Sequence, residues 1–500
     1  MRKKKALINI FFSVLLEVIT VIAGLIVPRL IIGTFGSTTN GLVNSISSFI
    51  GYIALLQSGV GSVVKASLYK PLAKKNHEQL CTIISTSERF FKKIAFLTIV
   101  YLGILAFIFP MFIAKEFDVW YTASLVLIIG LSTAAQYFFG ITYQMLLEAD
   151  QRSHIYSIAQ IIAVVLNTIL VILLIRFHCS IQIVKLGSAL IYVVRPIAVG
   201  WYAKRKYKIN SKVPIDNTYI KQRWDGFLQA IAYFIHSKTD IFVLTTFASL
   251  VDVSIYSIYA MVTAGLSSVV NSIDKAVRSA FGNIIASDEK ESLIKSFNAY
   301  NCLIHMFSTA CFATAAVSVT NFIKIYVSDV TDANYIQPIF GILIITAEYF
   351  YCLRMPYNSI IYAAGKFKET KIPAIVEALI NIIVSCILVQ LYGLVGVAIG
   401  TLIAMVYRTC MFAIYLKNNI LKLKMVSQIK RYFVTLMAYM VSIWGLSHIH
   451  IITKNYMSWI LYAFLIFILA IIITFLINFI FDFYNVKNAV KMFLNKKRSR

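Results

Sequence analysis

Long apolar segments recur along the whole chain, and they restrict what it can fold into more than any other feature. Each runs for about 20 to 28 residues, which is enough for a helix to cross a hydrocarbon core about 30 Å thick. In lipid, only helices and closed barrels satisfy their backbone hydrogen bonds, and barrel strands would alternate in shorter segments. We therefore predict an all-α polytopic membrane protein with about 14 transmembrane helices. The predicted helices cover residues 6–32, 40–64, 91–113, 119–147, 154–175, 182–203, 225–249, 253–284, 296–326, 335–364, 372–391, 394–416, 431–450 and 457–481.

The composition agrees with a membrane protein. Hydrophobic residues make up 59% of the chain and charged residues 14%, whereas a soluble protein carries about 25% charged residues. The N-terminal MRKKK could begin a signal peptide, but the apolar run after it continues to residue 32 without a small-residue cleavage site. We interpret that run as the first transmembrane helix. The seven cysteines stand singly, without a CxxC pair, and predict neither disulfides nor a metal site.

The positively charged residues are concentrated in the segments predicted to lie on one side of the membrane. Forty-seven Lys and Arg residues against 21 Asp and Glu give a net charge of +26. Most of these cations lie at the two termini or in every second loop, while alternate loops such as Gly33–Thr39 and Ser328–Asn334 are short and lack them. This is the positive-inside pattern, and it argues against a nucleic-acid partner. Both termini are predicted to be cytoplasmic.

The most hydrophilic stretch divides the chain into two halves. Lys204–Arg223 contains seven Lys or Arg residues and one Asp, which is typical of a cytoplasmic linker. The predicted domains are an N-lobe at 1–203, the linker at 204–224, a C-lobe at 225–416, two appended helices within 417–483, and a basic cytoplasmic tail at 484–500.

The two halves also repeat each other in sequence. YQMLLEADQR at 143–152 resembles YNSIIYAAGK at 357–366 at an offset of 214, which holds into the next helix. The aligned pairs are Tyr143 with Tyr357, Gln144 with Asn358, Asn167 with Asn381 and, one residue out of step, Arg195 with Arg408. Because each half has six helices, both halves keep one orientation, which predicts a parallel repeat about an axis along the membrane normal.

Polar residues within the predicted helices form stripes at helical spacing. Such residues are costly in lipid and usually face the protein interior or a wet cavity. The stripes are Gln136, Gly140, Gln144 and Glu148 in helix four, Gln229, Tyr233, His236 and Asp240 in helix seven, and Asn271, Asp274, Lys275 and Arg278 in helix eight. The cations within the spans are Arg29, Arg195, Lys238, Lys275, Arg278, Arg354 and Arg408, and the anions are Glu17, Asp240, Asp274, Glu348 and Glu377. The cationic surplus predicts a polar cavity for an anionic or phosphorylated cargo.

Structural roles compete with cargo binding for some of these residues. Asp274, Lys275 and Arg278 fit either a structural ion-pair cluster or part of a cargo site. Arg195 and Arg408 lie toward the cytoplasmic ends of their helices, so we expect them to reach the lipid headgroups.

Motifs for catalysis or nucleotide hydrolysis are missing from the sequence. It contains no Walker A, GxSxG or HExxH motif, and the predicted loops are short. We therefore expect a protein that is not an enzyme and that carries no metal or organic cofactor.

Four segments carry a resemblance to a known family. They are Leu55–Asn76 (LLQSGVGSVVKASLYKPLAKKN), Leu146–Ser157 (LLEADQRSHIYS), Thr239–Val262 (TDIFVLTTFASLVDVSIYSIYAMV) and Gly282–Glu291 (GNIIASDEKE). They resemble the Wzx-type polysaccharide biosynthesis proteins, which are oligosaccharide flippases of the multidrug/oligosaccharidyl-lipid/polysaccharide (MOP) exporter superfamily. The similarity extends over most of residues 1–420.

The resemblance implies a fold, a cargo and several site residues. The fold is two six-helix lobes around a cavity, in a multi-pass protein of the bacterial cytoplasmic (inner) membrane. The implied cargo is an undecaprenyl-diphosphate-linked oligosaccharide, whose diphosphate is held by inward-facing cations. The positions that match are Arg29, Lys65, and Lys238 with Asp240. Membrane lipids, a polysaccharide polymerase and chain-length machinery are the implied partners.

We therefore hypothesise a flippase that works by alternating access and serves assembly of O-antigen, capsule or exopolysaccharide. Its candidate substrate-binding residues are Arg29, Lys65, Gln144, Lys238, Lys275, Arg278, Arg354 and Asn358. Candidates for coupling transport to H⁺ or Na⁺ are Glu17, His236, Asp240 and Glu348. The alternatives are a multidrug or cation exporter of the same fold, a lipid II-type flippase, and a membrane glycosyltransferase or polymerase.

Overall fold

The protein is helical throughout the part that the structure describes. This computed structural model describes residues 2–113, 116–210, 213–214, 216, 239–287, 289–366, 369–422, 425–449 and 451–488. These residues contain no strand, and the predicted all-α fold class is confirmed. The chain divides into two compact units, Met1–Phe242 (unit 1) and Val243–Arg500 (unit 2).

Unit 1 is a helical bundle built on α1 to α7. Its helices are α1 Arg2–Gly51, α2 Leu55–Lys74, α3 His77–Ile113, α4 Val119–Ala135, α5 Ile141–Ala149, α6 Ser153–Arg176 and α7 Ile181–Tyr207. A π-helical turn, Gln136–Gly140, joins α4 to α5. Helix α7 packs against both α4 and α6, α1 packs against α6, and α2 packs against α3 and α5. This arrangement leaves α2, α5 and α7 around the site described below.

Two sequence predictions about unit 1 have different outcomes. The break predicted between helices 6–32 and 40–64 is present inside α1, because the backbone at Gly36 is not helical and its φ of 85° is a conformation that favours glycine. The predicted cytoplasmic loop between Lys65 and Lys93 is mostly helical, since α2 continues to Lys74 and α3 begins at His77. Its Lys, Glu and Gln residues are good helix formers, so charge here marks the helix end that leaves the membrane rather than a loop.

Unit 2 is a second bundle, in which α9 is the most deeply packed helix. Its helices are α8 Leu250–Ala286, α9 Lys290–Tyr326, α10 Pro338–Ala363, α11 Lys371–Tyr392, α12 Leu394–Tyr415, α13 Met425–Ser447 and α14 Tyr456–Phe481. Helix α9 contacts α8, α10, α13 and α14, and α12 packs between α10 and α11. The two appended helices are therefore integral to this bundle. The Arg431 guanidinium on α13 bonds Asp482 just past α14, at 2.7 Å, and the carbonyl of Cys302 on α9, at 2.9 Å.

Eleven helices in the described part are long and apolar enough to cross a membrane, so the chain is a multi-pass membrane protein. The predicted number of 14 is approximate for physical reasons. Residues 7–54 count as a single span although their helix is broken at Gly36, most of the predicted helix 225–249 lies outside the described residues, and α13 is not among the eleven. The exposed faces of the bundles are apolar, as lipid contact requires.

Candidate functional site

A cavity of about 730 Å³ lies within unit 1. Its walls come from α2, from the α4–α5 segment with its π turn, and from α6 and α7. The charged and amide residues that line it are Gln57, Lys65, Gln136, Gln144, Glu148 and Arg195. A cavity with this polar lining, inside a bundle whose outer surface is apolar, is a binding site for a hydrophilic group.

The four-residue stripe predicted on helix four forms one wall of this cavity. Gln136, Gln144 and Glu148 all line it, as the spacing predicts. Gly140 has a different role, because a Cβ added there would lie 2.5 Å from Cβ of Pro196 on α7. The glycine therefore allows α7 to approach the π turn closely, which brings Arg195 to the cavity.

Hydrogen bonds connect the polar groups into a continuous ladder along the cavity. Glu148 accepts from Lys65 at 3.0 Å and from the Gln144 amide at 2.9 Å. The Gln136 amide in turn donates to the Gln144 carbonyl oxygen at 3.3 Å. Arg195 completes the ladder by donating to the side-chain oxygen of Gln136 at 2.6 Å and to that of Gln160 on α6.

The charge of Arg195 is not neutralised within the described residues. Its guanidinium bonds two neutral amides and lies 5.7 Å from the ring centroid of Tyr156 and 5.9 Å from that of Tyr192. The other cation, Lys65, is paired with Glu148, and their side chains are 37% and 30% exposed. The cavity therefore carries one positive charge that no described carboxylate balances, which suits an anionic ligand.

Two polar atoms in the cavity lack a partner among the described residues. They are Oε1 of Gln57 and Nε of Arg195, both buried. A buried polar atom without a hydrogen bond is costly, so a bound water or ligand group at this place would be stabilised.

Arg195 was missed as a site residue by the sequence analysis. The expectation that it reaches the lipid headgroups is wrong, because its guanidinium turns into the bundle toward Gln136 and Gln160. The signal that could have found it was its alignment with Arg408 in the repeat. Among the predicted binding residues, the cavity brings together Lys65 and Gln144.

Arg408 and Arg354 in unit 2 form a buried cluster with one carboxylate. Nη1 of Arg354 lies 2.8 Å from Oε1 of Glu377, and Arg408 bonds the other oxygen of the same carboxylate. Arg354 is only 1% exposed and Glu377 is fully buried. The predicted headgroup role of Arg408 is therefore wrong, and Arg354 offers no surface to a cargo in this structure.

The helix-eight cluster also holds unit 2 together. Buried Asp274 accepts from Arg278 at 2.8 Å and from the Tyr300 hydroxyl at 2.9 Å, and it also accepts from Ser359. These bonds tie α8 to α9 and α10, which favours the structural interpretation of Asp274. Arg278 stays partly exposed and lies over the ring of Tyr362.

The remaining predicted binding residues that the structure describes are not among those that line the unit 1 cavity. Arg29 is half-buried in α1. Asn358 on α10 has a buried amide oxygen without a described partner. Lys275 lies on α8, but its side chain is outside the description, and Lys238 is outside the described residues altogether.

The ion-coupling candidates are likewise dispersed. Glu17 is exposed on α1. Asp240 is buried in unit 1, and Glu348 in unit 2 accepts from Ser267. His236 lies outside the described residues. Their roles remain predictions.

Several solved structures have a similar fold. The chain is similar to "Lipid II flippase MurJ, inward closed conformation", with a TM-score of 0.68, 17% identity, and coverage of 93% of this chain and 99% of that one. It is also similar to an inward-facing multidrug resistance MATE family transporter of the MOP superfamily, with a TM-score of 0.64, 14% identity, and coverage of 80% and 94%. The MATE multidrug transporter DinF-BH gives a TM-score of 0.58 at 16% identity, with coverage of 84% and 95%. At these identities the likeness shows the fold.

Sequence comparison identifies the family. No curated protein is similar enough in sequence to be a significant match. The family model described as "Polysaccharide biosynthesis protein" matches residues 6–278, which is more than half of the chain and includes every residue that lines the cavity. The predicted membership is thus confirmed, and the chain belongs to the polysaccharide biosynthesis protein family, with the fold of the MOP superfamily.

Proposed function

We propose that this protein flips undecaprenyl-diphosphate-linked oligosaccharides from the cytoplasmic to the outer leaflet of a bacterial cytoplasmic membrane. The observation that carries the proposal is the polar cavity of unit 1, in which Arg195 keeps a positive charge that no described carboxylate balances. Membership of a polysaccharide biosynthesis family supports the oligosaccharide, and likeness to a structure named as a lipid II flippase supports the lipid carrier.

The residues of the cavity match the parts of such a cargo. A diphosphate loses its hydration when it enters a membrane, and a guanidinium can replace that water because its planar fork donates two hydrogen bonds to phosphate oxygens. Arg195 has this role in the proposal, with Lys65 as a second positive charge. The amides of Gln57, Gln136 and Gln144 are donors and acceptors suited to sugar hydroxyls.

The pair between Lys65 and Glu148 would exchange partners when cargo binds. The pair is partly exposed and therefore worth about 1 kcal/mol or less. A phosphate that approaches Lys65 competes with Glu148 at little cost, and Glu148 keeps its bond from Gln144. The cavity can thus accept an anion without leaving a buried carboxylate unpaired.

Transport would follow alternating access, in which the cavity opens first to one side of the membrane and then to the other. The lipid tail stays in the bilayer while the diphosphate and sugars cross through the polar cavity. H⁺ or Na⁺ would drive the cycle through Asp240 and the other coupling candidates.

Depletion of the protein from its own cells tests the proposal. Lipid-linked oligosaccharide should accumulate on the inner face of the membrane, and surface glycan should fall, while synthesis of the lipid-linked unit continues. If neither the inner-face pool nor the surface glycan changes, the proposal is wrong.

A multidrug exporter is the second candidate, because MATE transporters share the fold. An exporter of organic cations needs a cavity with a net negative charge, whereas this cavity has two cations and one anion. Resistance to cationic dyes that rises on overexpression, with unchanged surface glycan, would favour this candidate over the flippase.

A further inference from the structure

A second, smaller cavity of about 350 Å³ lies at the end of unit 1 where α2 and α7 end and α3 begins. It shares no lining residue with the larger cavity and lies on the predicted cytoplasmic side. We propose that this cavity binds a phosphate group, which an anionic phospholipid of the cytoplasmic leaflet supplies. The proposal does not depend on the cargo of the transporter.

Three ammonium groups surround the cavity without acidic partners. Lys75 follows α2, and Lys206 and Lys208 lie at the end of α7. None of them forms an ion pair with a carboxylate in the described part of the chain. Three uncompensated positive charges around one cavity produce a local potential that attracts a multivalent anion.

The one acidic residue of the cavity, Asp150, is already occupied. Nε of Arg152 lies 2.7 Å from its Oδ2, and the Tyr207 hydroxyl donates to the same oxygen at 2.6 Å. Arg152 balances its charge, so Asp150 does not cancel the charge of the three lysines.

Two other lysines of these helices have carboxylate partners among the described residues. On α2, Lys65 pairs with Glu148 at 3.0 Å, and on α7, Lys204 lies 3.8 Å from Glu88. Carboxylates thus pair with some lysines of α2 and α7, whereas no carboxylate among the described residues pairs with the three lysines that line the cavity.

The walls of the cavity are fixed by the backbone. Lys75 and Lys208 have φ values of 54° and 47°, in the left-handed region that usually holds glycine at a helix C-terminus. A lysine there costs about 1 kcal/mol more than glycine. His77, the first residue of α3, contacts the end of α7 through its Nε2, which lies 3.0 Å from the carbonyl oxygen of Tyr207. The ends of α7 and α3 are therefore held together beside the cavity.

A phospholipid headgroup fits this cavity in charge, size and position. Lysine binds phosphate as a point charge, without the geometric demand of arginine. Basic pockets at the cytoplasmic membrane surface recognise anionic headgroups in this way. Pro71, Leu72 and Leu80 supply an apolar side to the cavity, which suits the glycerol end of a lipid.

Native mass spectrometry of the full chain in neutral detergent tests the site. Wild type should retain phosphatidylglycerol in preference to phosphatidylcholine. In Lys75→Gln/Lys206→Gln/Lys208→Gln, we expect phosphatidylglycerol to bind about tenfold more weakly or worse, with phosphatidylcholine unchanged. Lys206→Gln alone leaves both left-handed positions intact, so it separates loss of charge from any change in folding, and it should weaken binding several-fold.

Lys70→Gln/Lys74→Gln/Lys92→Gln is the matched control, because it removes three exposed cations of the same unit that do not line the cavity. Its phosphatidylglycerol binding should stay within about twofold of wild type. Inorganic phosphate at millimolar concentration identifies the source of the group. Displacement of the lipid supports a site for phosphate of either source, and retention of the lipid supports the headgroup. Equal losses in the two triple variants, or no preference for phosphatidylglycerol in wild type, would overturn the proposal.

Discussion

The two units differ in what surrounds an arginine that the repeat places in both of them, Arg195 in unit 1 and Arg408 in unit 2. In unit 1, Arg195 donates to the neutral amides of Gln136 and Gln160 and lines a cavity of about 730 Å³. In unit 2, Arg408 is buried and shares the carboxylate of Glu377 with Arg354. Arg195 therefore has no carboxylate partner among the described residues, whereas the charge of Arg408 is neutralised by Glu377.

One of the sequence differences that accompany this contrast lies at Gly140. At the offset of 214, Gly140 of unit 1 corresponds to Arg354 of unit 2. Glycine leaves room for α7 to approach, whereas arginine at the corresponding place is buried and pairs with a carboxylate. The repeat preserves the fold, and a few side chains determine which half can bind an anion.

The largest expected effect is a loss of stability in unit 2, where Glu377 neutralises both arginines. Glu377→Gln leaves two buried guanidinium groups without a carboxylate, and breaking a buried pair in this way costs about 3 to 5 kcal/mol. We expect a large fall in thermal stability of the purified protein. Glu291→Gln, at an exposed position of α9, is the control and should leave the melting temperature unchanged. If the two variants melt together, the buried triad does not stabilise unit 2.

A smaller loss of stability is expected where the glycine permits close packing. Gly140→Ala places a methyl group 2.5 Å from Cβ of Pro196, and overpacking of this kind costs about 1 to 3 kcal/mol. Gly103→Ala in α3 is the matched control, since nothing lies within 4 Å of the added Cβ, and there alanine should be neutral or stabilising. Equal stability of both variants would show that α7 does not depend on this contact.

Arg195 should affect transport more than folding. Arg195→Gln removes the charge but leaves Gln136 and Gln160 in a cavity open to water, so we expect surface glycan to fall about tenfold, which corresponds to about 1.4 kcal/mol. Protein abundance should remain near that of wild type. The control is Arg176→Gln at the exposed end of α6. If Arg195→Gln lowered the melting temperature but left surface glycan unchanged, Arg195 would have a structural role like that of Arg408, contrary to this prediction.

The smallest effect concerns the partly exposed pair at the cavity. A double-mutant cycle with Lys65→Gln and Glu148→Gln should give a coupling energy of about 0.2 to 1 kcal/mol for unfolding. A coupling of several kcal/mol would mean that the pair behaves like the buried cluster of unit 2, and that a cargo could not separate it easily.

The sequence predicts the fold class and one wall of the site for clear physical reasons. Twenty-residue apolar runs leave few alternatives to membrane helices, and four-residue spacing places Gln136, Gln144 and Glu148 on one face. That face lines the cavity. The family resemblance adds Lys65, which lies opposite on α2.

The rest depends on packing between helices, which a single sequence does not reveal. The opposite environments of Arg195 and Arg408 arise from Gln160 and Glu377 on neighbouring helices, and from the small size of Gly140. Periodicity places a residue on a face of its own helix but does not say which helix meets it.

The most direct test measures flipping itself with the purified full chain in proteoliposomes. A fluorescent undecaprenyl-diphosphate oligosaccharide is placed in both leaflets, and a membrane-impermeant quencher reports how quickly it exchanges between them. The account predicts rapid exchange with wild type, an exchange at least about tenfold slower with Arg195→Gln, and a rate near that of wild type with Arg176→Gln. Equal rates for wild type and Arg195→Gln, or no exchange by wild type above empty liposomes, would contradict it.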